Sequence, residues 1–150
     1  MADLKQLNIV KDLASKKEQQ ALQTLSAAQS QIRQLEQQKE SLVQYKLDYM
    51  QQIIDTGKLG VTADKLMLLQ GFLAKIDSSI SQQTDIIARS QLAVDARQAQ
   101  WRQARQYLDS IEFLINKQRQ EIAEKEEKQQ QKLSDEFAMM SHYRKLKASR

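Results

Sequence analysis

The sequence predicts an all-α fold: a long antiparallel two-helix coiled-coil hairpin whose second helix overhangs the first at its C-terminal end. Three observations carry this. Every seventh residue from Leu66 to Ile122 is large and apolar: Leu66, Leu73, Ile80, Ile87, Val94, Trp101, Leu108, Ile115 and Ile122. A straight helix drifts ~20° per heptad, so a repeat this regular keeps one partner along its length and implies a left-handed supercoil. The 150 residues include no proline and only three glycines, so little interrupts a helix. Finally, the segment 55–62 holds two of those glycines and divides the pattern in two.

The first helix is expected over about 3–55. Its d column reads Leu7, Ala14, Ala21, Ala28, Leu35, Leu42 and Tyr49, and Leu4, Leu25, Ile32 and Ile53 fit position a. Lys11, Glu18, Lys39 and Lys46 fill the remaining a sites. Alanine permits close helix approach, and charged a positions restrict register while their stems lie along the seam.

The turn is expected over 56–61. Gly57 and Gly60 stop the first helix, and Thr62, with Asp64 in the next turn, caps the second. A short link between two long amphipathic helices favours a hairpin over a parallel dimer of straight rods. A turn centred between Lys58 and Leu59 makes the numbers of facing residues add to about 117, by the helical-hairpin geometry. Tyr45 then faces Phe72, Gln38 faces Ser79, and Leu42 lies near Ile76. Trp101 reads as a core knob near residue 16, filling space left by Ala14.

Helix 2 is expected over about 62–140, followed by a basic tail, 141–150, with Arg144, Lys145, Lys147 and Arg150. The same pairing leaves about 37 residues overhanging, up to ~55 Å if helical. Ile115 and Ile122 continue the seam there with no partner on helix 1. Residues 123–132 are almost wholly Glu, Lys and Gln, and Leu133, Phe137, Met140 and Tyr143 follow at near-helical spacing. An amphipathic segment beyond a polar spacer reads as a docking element. The whole chain, 1–150, reads as one coiled-coil domain.

Several function classes are excluded. Aromatics at 5% are too few for a sizeable globular core. Without cysteine there is no disulfide framework, thiolate metal site or cysteine nucleophile. The one histidine, His142, cannot form a two-histidine metal site. Gly57-Lys58 fails as a phosphate loop, because Leu59 stands where Ser or Thr is required and Gln52 where glycine is. Carboxylates on a two-helix rod have no cleft to tune them. No catalysis, no cofactor and no metal are expected.

The amino terminus lacks the basic and apolar runs of a secretory signal, and no stretch approaches the ~20 apolar residues of a membrane span. The expected compartment is the cytoplasm. Net charge is +4, but the two signs alternate along both helices, which reads as a solvated coiled-coil surface and not as a nucleic-acid footprint. A passive spacer, the competing reading, has no reason to carry apolar surplus at both ends.

Lys11-Asp12-Leu13-Ala14, Tyr45 with Tyr49, Gln70 and Phe72, Trp101-Arg102, and Asp135-Glu136-Phe137-Ala138 occur in an order that resembles the FliJ family. That family is the small coiled-coil component of the bacterial flagellar type III export apparatus. The resemblance covers the whole chain. It implies a hairpin similar to the stalk of rotary ATPases, and a role in flagellum assembly and motility. The implied partners are the hexameric export ATPase, the membrane export gate FlhA and the chaperones of late export substrates. It also implies peripheral association with the inner face of the membrane at the flagellar base.

The family's gate-contacting surface carries over at Gln38, Leu42, Tyr45, Tyr49 and Phe72, with Ile76 a conservative match. Ser79 and Gln83 depart from the pattern. The overhang is expected to meet the ATPase ring through Ile115, Ile122 and Phe137, with Arg144, Lys145 and Lys147 as basic contacts. The equivalent component of a virulence injectisome is the alternative system.

Overall fold

A computed structural model describes residues 3–149. Two helices make up the fold, α1 over Leu4–Lys58 and α2 over Ala63–Ala148, packed against each other as an all-α helical hairpin. The helix ends follow from local chemistry. The Asp3 carboxylate accepts the Gln6 amide at 2.8 Å, and the Asp3 carbonyl accepts the Leu7 amide, capping α1. At the other end the amides of Leu59 and Gly60 donate to the carbonyls of Thr56 and Gly57. Gly60 has φ +87°, a left-handed conformation that costs glycine little and stops the helix. Thr62 Oγ1 then accepts the Lys65 amide at 3.3 Å and starts α2.

Gly57, read from the sequence as part of the turn, lies in the last turn of α1. The turn is therefore centred near Val61, and the register moves with it. Leu35 with Gln83, Lys46 with Asp77 and Tyr49 with Phe72 are in contact, and their numbers add to between 118 and 123. The expected 117 was short by about one helical turn.

Helix contacts divide the chain into two compact units, each containing part of both helices. One is Gln19–Gln103; the other joins the chain up to Glu18 with the chain from Ala104 onward. In the first, Leu25, Ile32 and Val94 are buried, with Ala28, Ile87 and Trp101 packed against them. These side chains mesh when facing numbers add to 122, which places Ala28 opposite Val94 and Leu35 opposite Ile87. The same register sets Trp101 opposite Ala21, not Ala14. Alanine thus stands across from a bulky residue, the small-against-large pairing that suits close helix approach.

In the second unit, Ala14 and Glu18 on α1 and Leu108, Ile111 and Ile115 on α2 are buried. Ile115 is only 2% exposed, the most enclosed large side chain among the described residues. This corrects the expectation that it lacks a partner: the longer α1 and later turn bring the first turns of α1 alongside it. Gln118 is the last half-buried residue of α2, and every residue from Arg119 to Ser149 is exposed. The basic segment from Ser141, expected as a tail outside the helix, is helical through Ala148. Arg150 lies outside the described residues.

Candidate interaction surfaces

The eight residues expected to contact the export gate form two sets with one spacing. Gln38, Leu42, Tyr45 and Tyr49 advance by four, three and four along α1, and Phe72, Ile76, Ser79 and Gln83 do the same along α2. Steps of three and four keep side chains on one helix face. Run antiparallel, the sets make four rungs: Gln38 with Gln83, Leu42 with Ser79, Tyr45 with Ile76, and Tyr49 with Phe72.

Direct contacts close the two outer rungs. Gln83 donates its side-chain amide to Gln38 Oε1 at 3.2 Å and to the Leu35 carbonyl at 3.0 Å. Phe72 meets Tyr49 edge-on, with centroids 6.1 Å apart and planes at 62°. Tyr45 stacks on Tyr49 at 6.3 Å, and the Lys75 ammonium sits 5.8 Å from the Phe72 ring centre. The expected face-to-face pair, Tyr45 with Phe72, is thus replaced by Tyr49 with Phe72, in keeping with the one-turn shift.

Burial sorts these residues into supports and surface. Ile76 is 8% exposed and belongs to the seam, so it holds the rung from below and offers no free surface. Gln83 is half-buried and its amide is engaged by α1. Leu42 and Tyr49 are half-buried, whereas Gln38 and Ser79 are exposed. Tyr45 and Phe72 are 59% and 50% exposed, although each has a full aromatic ring. Exposed aromatics supported by a buried row are the usual make-up of a protein-binding surface.

Two features of this region escaped the sequence reading. Lys46, taken only as a charged seam residue, reaches across to form an ion pair with Asp77. Lys75, placed over Phe72, adds a positive charge to the aromatic face. The signal for the first was present, since a lysine stem at an a position ends beside the flank of the partner helix.

The second candidate surface lies on α2 beyond Gln118. Ile122 is 40% exposed and Phe137 74%, and Arg144, Lys145 and Lys147 are exposed as well. Ile122, Phe137 and Arg144 share a face by helical spacing, while Lys145 and Lys147 flank it. The Lys147 ammonium lies 5.6 Å from the Tyr143 ring centre. Leu133, Met139, Met140 and Leu146 add apolar exposure. Ile115 does not join this surface. Among the described residues no cluster of His, Asp or Glu could hold a metal ion, and no helix is long and apolar enough to cross a membrane.

The sequence model of the family described as "Flagellar FliJ protein" matches residues 4–147, nearly the whole chain. The chain belongs to the flagellar FliJ family. A flagellar FliJ protein of Escherichia coli (strain K12) is 27% identical over 145 residues, covering 97% of this chain and 99% of the relative. The flagellar FliJ protein of Salmonella typhi is 26% identical over the same coverage. No solved structure matches. FliJ-family membership makes the chain a component of flagellar protein export.

Proposed function

We propose that this FliJ-family chain is a non-enzymatic coiled-coil adaptor that couples the hexameric export ATPase to the membrane export gate FlhA. In this reading it also assists delivery of chaperone-bound late substrates. The gate is met by the aromatic face of the hairpin, with Tyr45, Tyr49 and Phe72 as anchors, Gln38, Leu42 and Ser79 around them, and Ile76 and Gln83 as supports. The ATPase ring is met by Ile122, Phe137, Arg144, Lys145 and Lys147 on α2. The chain works in the cytoplasm, at the inner face of the membrane. The flagellar names of both relatives favour the flagellar system over an injectisome.

The observation that carries this reading is the exposure of Tyr45 and Phe72 on a face already closed by its own seam. Folding does not require those rings, and large aromatics held on a rigid base are what binding hot spots are made of. The test is Tyr45→Ala together with Phe72→Ala. Helicity and melting temperature should stay near those of the parent, while affinity for the cytoplasmic domain of the gate falls about tenfold or more. Loss of hairpin structure in the double variant would show the rings to be core and remove the gate surface. For the ring, truncation after Gln118 should abolish stimulation of ATP hydrolysis and leave the hairpin folded. Undiminished stimulation would remove α2 beyond Gln118 from the mechanism.

A further inference from the structure

Beyond Gln118 the face of α2 that carries Ile122 has a mirror arrangement about position 135. Leu133 mirrors Phe137, Gln130 mirrors Met140, Glu126 mirrors Arg144, and Ile122 mirrors Ala148. All eight lie on one face by helical spacing, and all are exposed. In a two-fold pairing of identical antiparallel helices centred there, residue i meets residue j and j meets i, so each of these pairs is made twice and the surface must complement itself. Glu126 and Arg144 interrupt an otherwise uncharged stripe, and among the described residues neither makes an ion pair.

Charge fixes the orientation. Residues 121–136 hold six acids and three lysines, whereas 137–149 hold Arg144, Lys145 and Lys147 and no acid. With His142 neutral the two halves carry −3 and +3. Antiparallel pairing lays each half on its opposite; parallel pairing lays like on like. The stripe also leaves the heptad, with Ile122, Leu133 and Arg144 spaced by eleven, a repeat that does not wind two helices into a left-handed supercoil.

We propose that this length of α2 pairs antiparallel with the same length of a second copy of the chain. Two Leu133–Phe137 contacts sit at the centre and two Glu126–Arg144 ion pairs lie outside them. The pairing covers the stripe assigned above to the ATPase ring, so a paired chain cannot dock there; the proposal itself does not depend on that assignment.

Sedimentation equilibrium of the full chain over a concentration series at low salt tests it. A monomer–dimer equilibrium is expected. Glu126→Arg alone and Arg144→Glu alone should each weaken it about tenfold or more, because each places like charges opposite one another twice. The double variant Glu126→Arg/Arg144→Glu should regain the parent affinity, and Phe137→Ala should weaken pairing with unchanged helicity. A chain that stays monomeric throughout overturns the proposal. So does a dimer indifferent to both reversals, or a double variant that recovers nothing.

Discussion

Ile115 and Ile122 are the same residue type, two turns apart on one helix, and they live in different surroundings. Ile115 is enclosed, whereas Ile122 keeps two-fifths of its surface in water. Up to Gln118, α2 lies against α1, and from Leu73 to Ile115 every member of its apolar column is buried or half-buried. Beyond Gln118 the helix goes on for 30 residues with exposed side chains only. There it rests on backbone hydrogen bonds and good helix formers: Glu, Lys and Gln dominate 121–132. A buried apolar residue of that column stabilises the fold. Beyond Gln118 an apolar residue is free for another molecule.

Substitution separates the two stretches most sharply at this pair. Ile115→Ala should cost about 3 kcal/mol, from lost transfer energy and the cavity left behind. Ile122→Ala should cost well under about 1 kcal/mol, because a half-exposed side chain outside a core has little to lose. Thermal or urea unfolding of both variants checks this, and equal losses would erase the boundary at Gln118. Trp101→Ala should cost about 2–3 kcal/mol, at or below the lower end of the range for buried tryptophan because the ring is only half-buried. Phe137→Ala, the matching aromatic deletion on the exposed stretch, should leave the midpoint unmoved.

Smaller effects sharpen the picture inside the covered stretch. Gln83→Leu should raise stability by up to about 1 kcal/mol, since a polar group in a seam costs stability and fixes alignment. The same variant should loosen the register and weaken gate binding. The chain has no cysteine, so spin labels on cysteines introduced at Gln34 and Thr84 report helix alignment cleanly. An unchanged distance distribution would show that Gln83 does not set the register. Smallest is the Lys46–Asp77 pair, whose partners are 32% and 50% exposed. A double-mutant cycle with alanine should give about 0.5 kcal/mol, and less in high salt.

Much of this fold was legible in the sequence, because one column of α2 is apolar without exception and the α1 columns repeat with it. Leu7, Ala14, Leu25 and Ile32 are all buried or half-buried as their positions require. The second column of α2 was not legible. It runs Leu69, Ile76, Gln83, Ser90, Arg97, Ala104, Ile111 and Gln118, and its polar members break any apolar count. Register was also hidden, because Gly57 and Gly60 look alike in sequence and only the second adopts the left-handed conformation. Reading the stop at the first glycine moved the pairing by about a turn, assigned Ile115 to the exposed stretch and matched Tyr45, not Tyr49, with Phe72. The residues expected on the aromatic face nonetheless stay together on one side of the hairpin, since a register slip of about one turn moves partners along a face without changing the face.

The alanine column of α1 bears on the order in which the protein can form. Ala21 and Ala28 offer hollows that Trp101 and Val94 fill, and by the same register Ala14 lies opposite Leu108. During synthesis α1 leaves the ribosome with a seam of alanines, aliphatic side chains and charges that nothing in its own half can cover. Translation proceeds at roughly 5–20 residues per second, so several seconds pass before those bulky residues exist. Until then α1 has only local helix propensity to hold it, and an isolated helix is marginal in water. The nascent amino-terminal half is thus the stretch most open to proteases and to holding chaperones, and its alanine hollows are closed by residues that lie 66 to 94 positions downstream in the register described.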